Sequence, residues 1–175
     1  IGGGRAGDVR ALEQAGVSPL TAAVLASRGL NTPDAARQFL SPESALADPL
    51  LLKDMLPAAQ RLQRAIDERE RVCVFGDYDV DGITATCLLA DYLAGRGCDT
   101  LRYIPNRLEE GYGLNPGAVQ TLHEQGVRLI ITVDCGITAL EEAALCRSLG
   151  MDLIITDHHE CKDELPDAFA VVDPH

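Results

Sequence analysis

Residues 72–82, VCVFGDYDVDG, constrain this chain more than any other stretch. Four consecutive apolar residues, Val72 to Phe75, have the length and composition of a buried strand. Asp77, Asp79 and Asp81 follow at once, and Gly82 opens an apolar stretch, ITATCLLADYLA, of helical length. Two unit charges about 4 Å apart repel by about 4 kcal/mol at an effective dielectric near 20. A strand–turn–helix junction crowded with carboxylates therefore needs compensation. Hard divalent cations such as magnesium and manganese supply it through Asp oxygens. A solvated acidic turn is the plainer alternative for this stretch taken alone.

The surrounding chain decides the fold class. Met55, Ala58, Ala59, Leu62, Ala65 and Ile66 recur at helical spacing and predict a one-sided helix. Strand-like runs follow at Arg71–Phe75, Thr100–Ile104, Leu129–Val133, Asp152–Ile155 and Phe169–Val172. Between them lie helical stretches near 83–94, 116–125 and 139–149, with Asn115-Pro116 starting one and a Thr138/Glu141 capping box starting another. Strands alternating with helices predict an α/β architecture, a parallel sheet of about five strands flanked by helices.

Ahead of it, Ser18-Pro19, Thr32-Pro33 and Ser41-Pro42 place a capping residue before a proline, and Gly16 and Gly29 punctuate ends. These predict a small helical lobe over residues 1–52, followed by the α/β domain over 53–175. Gly2, Gly4 and Gly7 match a dinucleotide-binding pattern, but no strand precedes them, so a flexible start is the better reading.

In open α/β sheets ligands bind beyond the carboxyl ends of the strands, and there the unusual polar residues collect. The first strand runs into Asp77, Asp79 and Asp81, the second into Arg107 and then Tyr112, the third into Asp134, and the fourth into Asp157, His158 and His159. For Asp134 alone a helix-capping role is the simpler reading, and for the histidines a surface pair. Together the residues predict a two-metal carboxylate–histidine site, with Asp134 on a central strand as the bridging ligand. Two divalent ions about 3.5–4 Å apart can clamp a phosphate and acidify a water. Arg107 suits a phosphate, and Tyr112 suits stacking on a base, against the alternatives of a surface arginine and a packing tyrosine.

Bulk properties exclude several classes. Hydrophobic residues at 46% and charged residues at 24% rule out a disordered chain. A net charge of −12 argues against a freestanding nucleic-acid-binding module, and part of that charge belongs to the predicted metal site. Cys73, Cys87, Cys98, Cys135, Cys146 and Cys161 form no CxxC pair, which fits reduced cytoplasmic thiols better than disulfides or zinc. No apolar run approaches the roughly 18 residues of a membrane span, so no membrane partner is expected.

The motifs GDYDVDGITAT, NRLEEGYGL, ITVDCGI and ITDHHE, in this order, resemble those of the DHH phosphoesterase superfamily. The first two are most similar in wording to its RecJ family, and SRGL and RQFLSP upstream extend the likeness. The resemblance implies a manganese- or magnesium-dependent 5′→3′ exonuclease acting on single-stranded DNA in repair and recombination, without a covalent intermediate. It implies that Asp79, Asp81, Asp134 and His158 bind the two cations. Asp77 and His159 would lie close to the metals or the scissile phosphate, with Asp157 orienting the histidines. It also implies a further metal-binding aspartate, a DHHA1-type domain and an OB-fold downstream, with those domains and other repair proteins as partners. By that measure the sequence, which begins at Ile1 and ends at His175, reads as an N-terminal fragment, weakly active or inactive alone. Alternatives are a phosphodiesterase of short oligonucleotides or cyclic dinucleotides, a pyrophosphatase, or a non-catalytic replication factor. The intact Asp79, Asp81, Asp134 and His158 disfavour the last.

Overall fold

Apolar residues run almost unbroken along the inner strands, so both faces of one sheet must be covered, and the computed structural model, which describes residues 6–41 and 47–175, shows how. The chain divides into two compact units, residues 1–47 and 48–175.

The first unit holds three short helices, α1 (Ala6–Gln14), α2 (Pro19–Ser27) and α3 (Pro33–Leu40). Ser18 and Thr32 cap α2 and α3 by accepting the amides of Thr21 and Ala35, each ahead of a proline already set for the helix. Leu12, Ala22, Leu25, Ala26 and Ala36 form its core. The expected cap at Ser41-Pro42 lies partly outside the described residues, as do residues 1–5 of the flexible start expected over 1–7, while Ala6 and Gly7 belong to α1.

The second unit begins with one 3-10 turn (Pro49–Leu51) and then runs α4 (Met55–Asp67), β1 (Arg71–Gly76), α5 (Val80–Gly95), β2 (Asp99–Tyr103), α6 (Pro116–Glu124), β3 (Leu129–Val133), α7 (Leu140–Ser148), β4 (Asp152–Thr156) and β5 (Ala170–Val172). The five strands form one sheet in the order β2-β1-β3-β4-β5, every pairing parallel. Side chains divide by the two-residue period of the strand. Cys73, Phe75, Ile130, Leu153 and Ile155 face a core shared with α6 and α7, through Val119, Leu122, Ala143 and Cys146. Val72, Val74, Leu129, Ile131 and Ile154 face the other core, shared with α4 and α5 through Ala58, Ala65, Ala90 and Leu93.

Two local expectations change. Helix α5 starts at Val80 rather than near Ile83, because Asp79 caps it. The Thr138/Glu141 capping box does not form: α7 starts at Leu140 behind Ala139, without a side-chain cap. Just ahead of the helix, the Ile137 amide donates to Asp157, and Gly136 (φ 110°) turns the chain.

On the buried face of α4 lies a residue that the apolar pattern does not flag. Arg61, 4% exposed, donates to Asp152 at 2.5 Å and to Glu70 at 2.7 Å, tying α4 to the start of β4.

Candidate metal centre

Strand β1 lies between β2 and β3, so the chain leaves it toward one side of the sheet and later returns on the other. Such a switch point opens a crevice at the carboxyl ends of the strands. Asp77, Asp79 and Asp81 follow β1, and Asp134 follows β3, on the two walls of that crevice.

The turn after β1 is held by backbone contact. A Cβ on Gly82 would lie 2.4–2.7 Å from the Asp77 backbone, so only glycine lets α5 close onto it. Asp77 is buried and accepts its neighbour's amide, Tyr78 N–H, at 2.7 Å. Asp79 Oδ1 accepts the amides of Asp81 (2.9 Å) and Gly82 (3.1 Å), which leaves Oδ2 for a ligand. The Gly82 amide, ahead of the Asp81 amide, holds the Asp79 carboxyl below its usual range.

Asp134 has a left-handed backbone (φ 62°) and ties its amide to the Thr156 carbonyl of β4 at 3.0 Å. Burial, then the nearby charge of Asp79, pushes its carboxyl above the usual range. Two carboxylates in one site shift apart in this way when no cation separates them.

Both oxygens of Asp157 are engaged. Its Oδ2 takes the Ile137 amide at 2.9 Å, and its Oδ1 takes the His158 amide (2.7 Å), the His159 amide (3.2 Å) and His159 Nδ1 (2.7 Å). Burial opposes its ionisation, but the Ile137 amide and the His159 ring, followed by the histidine amides, outweigh it and lower the pKa. This geometry makes Asp157 an orienting group, which turns His159 Nε2 away from it. The same hydrogen bond raises the His159 pKa.

The histidine rings stack at 4.6 Å, and His158 Nδ1 stands 3.2 Å from Asp134 Oδ1. They face different cavities. His158 lines one of about 440 Å³ with Asp81, Asp134 and the apolar Leu52, Val133 and Val172. His159 lines another of about 360 Å³ with Tyr112, Ile137 and Thr138.

Ligand atoms of Asp77, Asp79 and Asp134 lie within 4.8 Å of one another, as do those of Asp134, Asp157, His158 and His159. Asp134 is common to both groups. The donor set suits a cation: all-oxygen on one side, oxygen and imidazole on the other. Asp81 is exposed in the first turn of α5 and belongs to neither group, though it shares the cavity of Asp134 and His158. Arg107 and Tyr112 stand at the rim, where Tyr112 meets His159 edge-on at 6.3 Å. Tyr78, which the strand-end pattern does not single out, joins them. Its ring carries the Arg107 guanidinium at 5.1 Å and meets Tyr112 edge-on at 6.1 Å. Its place between two of the clustered aspartates was the one signal the sequence offered.

The family model for the DHH family, N-terminal domain, matches residues 71–175. The single-stranded-DNA-specific exonuclease RecJ of Bacillus subtilis (strain 168) is 45% identical over 163 residues, 93% of this chain and 21% of that protein. The crystal structure of RecJ in complex with Mn2+ from Thermus thermophilus superposes with a TM-score of 0.70 at 32% identity, over 97% of this chain and 23% of its own. RecJ from the same organism in complex with Mg2+ superposes with a TM-score of 0.52 at 28% identity, over 88% and 18%. The chain thus spans less than a quarter of the length of these proteins.

Proposed function

The chain belongs to the DHH family, and on that premise we propose that it hydrolyses phosphodiester bonds, as a 5′→3′ exonuclease on single-stranded DNA in repair and recombination. The observation that carries this reading is the sharing of Asp134 between two ligand groups, one of carboxylates and one with the histidine pair. A residue so placed can hold two cations side by side.

Manganese or magnesium, bound by relatives of known structure, would supply an acidified water and neutralise phosphate charge. Asp77 and Asp79 would hold one cation and His158 the other, with Asp134 bridging and Asp81 completing the set from the first turn of α5. His159, held through Nδ1 by Asp157, would turn Nε2 to the phosphate and donate to it in the protonated, imidazolium form that Asp157 favours. Arg107 would take a phosphate of the strand and Tyr112 would stack on a base. Residues 53–175 form the catalytic domain in this reading, with the helical lobe of 1–52 ahead of it. Further domains and other repair proteins would complete its grip on DNA. Action in the cytoplasm suits the six free thiols.

Manganese-dependent digestion of single-stranded DNA labelled at the 5′ or the 3′ end tests the proposal, with the complete protein beside the 175-residue chain. Stepwise loss from the 5′ end supports it. Cleavage of dinucleotides with long strands left intact would replace it with a small-substrate phosphodiesterase.

A further inference from the structure

Arg107 stands out in a chain of net charge −12. It lies at the rim of an acidic site, yet no carboxylate among the described residues pairs with it. Nearby Glu110 is held by the Tyr103 hydroxyl at 2.9 Å, and the Arg107 guanidinium rests on the Tyr78 ring instead. A guanidinium held by an aromatic face keeps its N–H fork open for an anion.

The loop that carries Arg107 is itself fastened. Asn106 accepts the Leu108 amide through its side chain at 3.1 Å and the Glu110 amide through its carbonyl at 2.8 Å. Tyr103, at the end of β2, stacks on Phe75 of β1 at 5.0 Å. Tyr78 sits in the metal-bearing turn, between Asp77 and Asp79. Its ring is the point where that turn meets the Arg107 loop. The contacts run without a break from Arg107 to Tyr78, Tyr112 and His159.

We propose that Tyr78 is a positioning residue for the nucleic-acid strand: its ring fixes Arg107 and Tyr112 relative to the metal-bearing turn, so that the phosphate held by Arg107 and the base stacked on Tyr112 enter in register with His159. This rests on the reading of the chain as a nuclease of single-stranded DNA. The role belongs to the aromatic face. The hydroxyl is dispensable.

The test is fluorescence-anisotropy binding of a labelled oligothymidylate of about 15 nucleotides by the complete protein, with Ca2+ replacing Mn2+ so that the strand survives. Tyr78→Phe binds as the wild type does. Tyr78→Leu binds about three- to tenfold more weakly, Arg107→Ala is at least as weak, and the double variant loses less than the sum of the two single losses. Mn2+ binding, followed by electron paramagnetic resonance of the free ion, stays unchanged in Tyr78→Leu. Wild-type binding by Tyr78→Leu, additive losses in the double variant, or lost Mn2+ binding would each overturn the positioning role. A wild-type protein that neither binds nor cuts DNA would instead overturn the nuclease reading on which it rests.

Discussion

Asp79 and Asp134 face each other across the gap between β1 and β3, and they divide one electrostatic load in opposite directions. Asp79, fed by two amides at the start of α5, holds its charge, while buried Asp134 resists ionising beside it. A carboxyl whose pKa is raised on folding favours the fold below its unfolded value, near 3.9, and loses that advantage as pH climbs through the raised value. Without metal, ionised Asp134 therefore works against the fold at neutral pH. Asp134→Asn should raise the melting temperature in chelator by about 2–4 °C while abolishing hydrolysis. A lowered melting temperature would contradict the repulsion.

Cations should reverse that balance. A ligand that binds only the folded chain adds about 2.7 kcal/mol at a hundred times its dissociation constant, or about 5–10 °C here. Thermal melts with Mn2+ and Mg2+ should show the rise in the wild type and not in Asp134→Asn. An equal rise in both would remove Asp134 from the ligand set.

The Asp157–His159 pair should leave a signature in pH. The lowered Asp157 pKa adds stability above about pH 4 that is lost as pH falls through the folded value, and the raised His159 pKa adds stability below about pH 6.5 that is lost as pH rises through its own. The pair contributes most between those limits. Asp157→Asn keeps one acceptor oxygen but turns an NH2 toward an existing donor, costing about 1–3 kcal/mol. Urea unfolding in chelator from pH 3 to 9 should show the largest gap between variant and wild type inside that window. A gap independent of pH would mean the ion pair contributes nothing.

Gly82 and Gly95 belong to the same helix and should answer oppositely to alanine. At Gly82 the new Cβ meets Asp77 backbone at 2.4–2.7 Å, which cannot yield without moving the turn that carries Asp77 and Asp79, whereas at Gly95 it meets nothing within 4 Å. Gly82→Ala should lose both stability and the manganese-induced rise in melting temperature. Gly95→Ala should be neutral or gain up to about 1 kcal/mol. Retention of the manganese response in Gly82→Ala would show that the turn adapts.

Arg61 tests the opposite end of the sheet. Its removal strands Glu70 and weakens the hold on Asp152, which Arg64 also reaches at 3.3 Å. Arg61→Ala should cost about 3 kcal/mol in urea unfolding with the manganese response intact. Loss of that response would mean the two ends are coupled.

The apolar runs made the sheet legible because its inner strands, β1, β3 and β4, are buried on both faces, and strand ends then pointed to Asp134, His158 and His159. Element starts were harder to read. Gly82 looks like a helix opener because glycine is a poor helix former, yet the close approach to Asp77 requires it inside the first turn. Thr138 and Glu141 have capping-box spacing, but α7 takes Ala139 as its cap position, one residue past Thr138, so the pair is out of register with the helix start. Tyr78 and Arg61 were missed for a shared reason: the partners that give them meaning, Arg107 and Asp152, come from distant parts of the chain. No local pattern carries that information.

The left-handed backbone of Asp134 bears on how such a site can drift. Asn and Gly adopt that conformation as readily as Asp or more so, and an amide there would ease the crowding with Asp79. A single substitution could thus extinguish the chemistry while leaving a sturdier scaffold. At this position the demands of stability and of chemistry point in opposite directions.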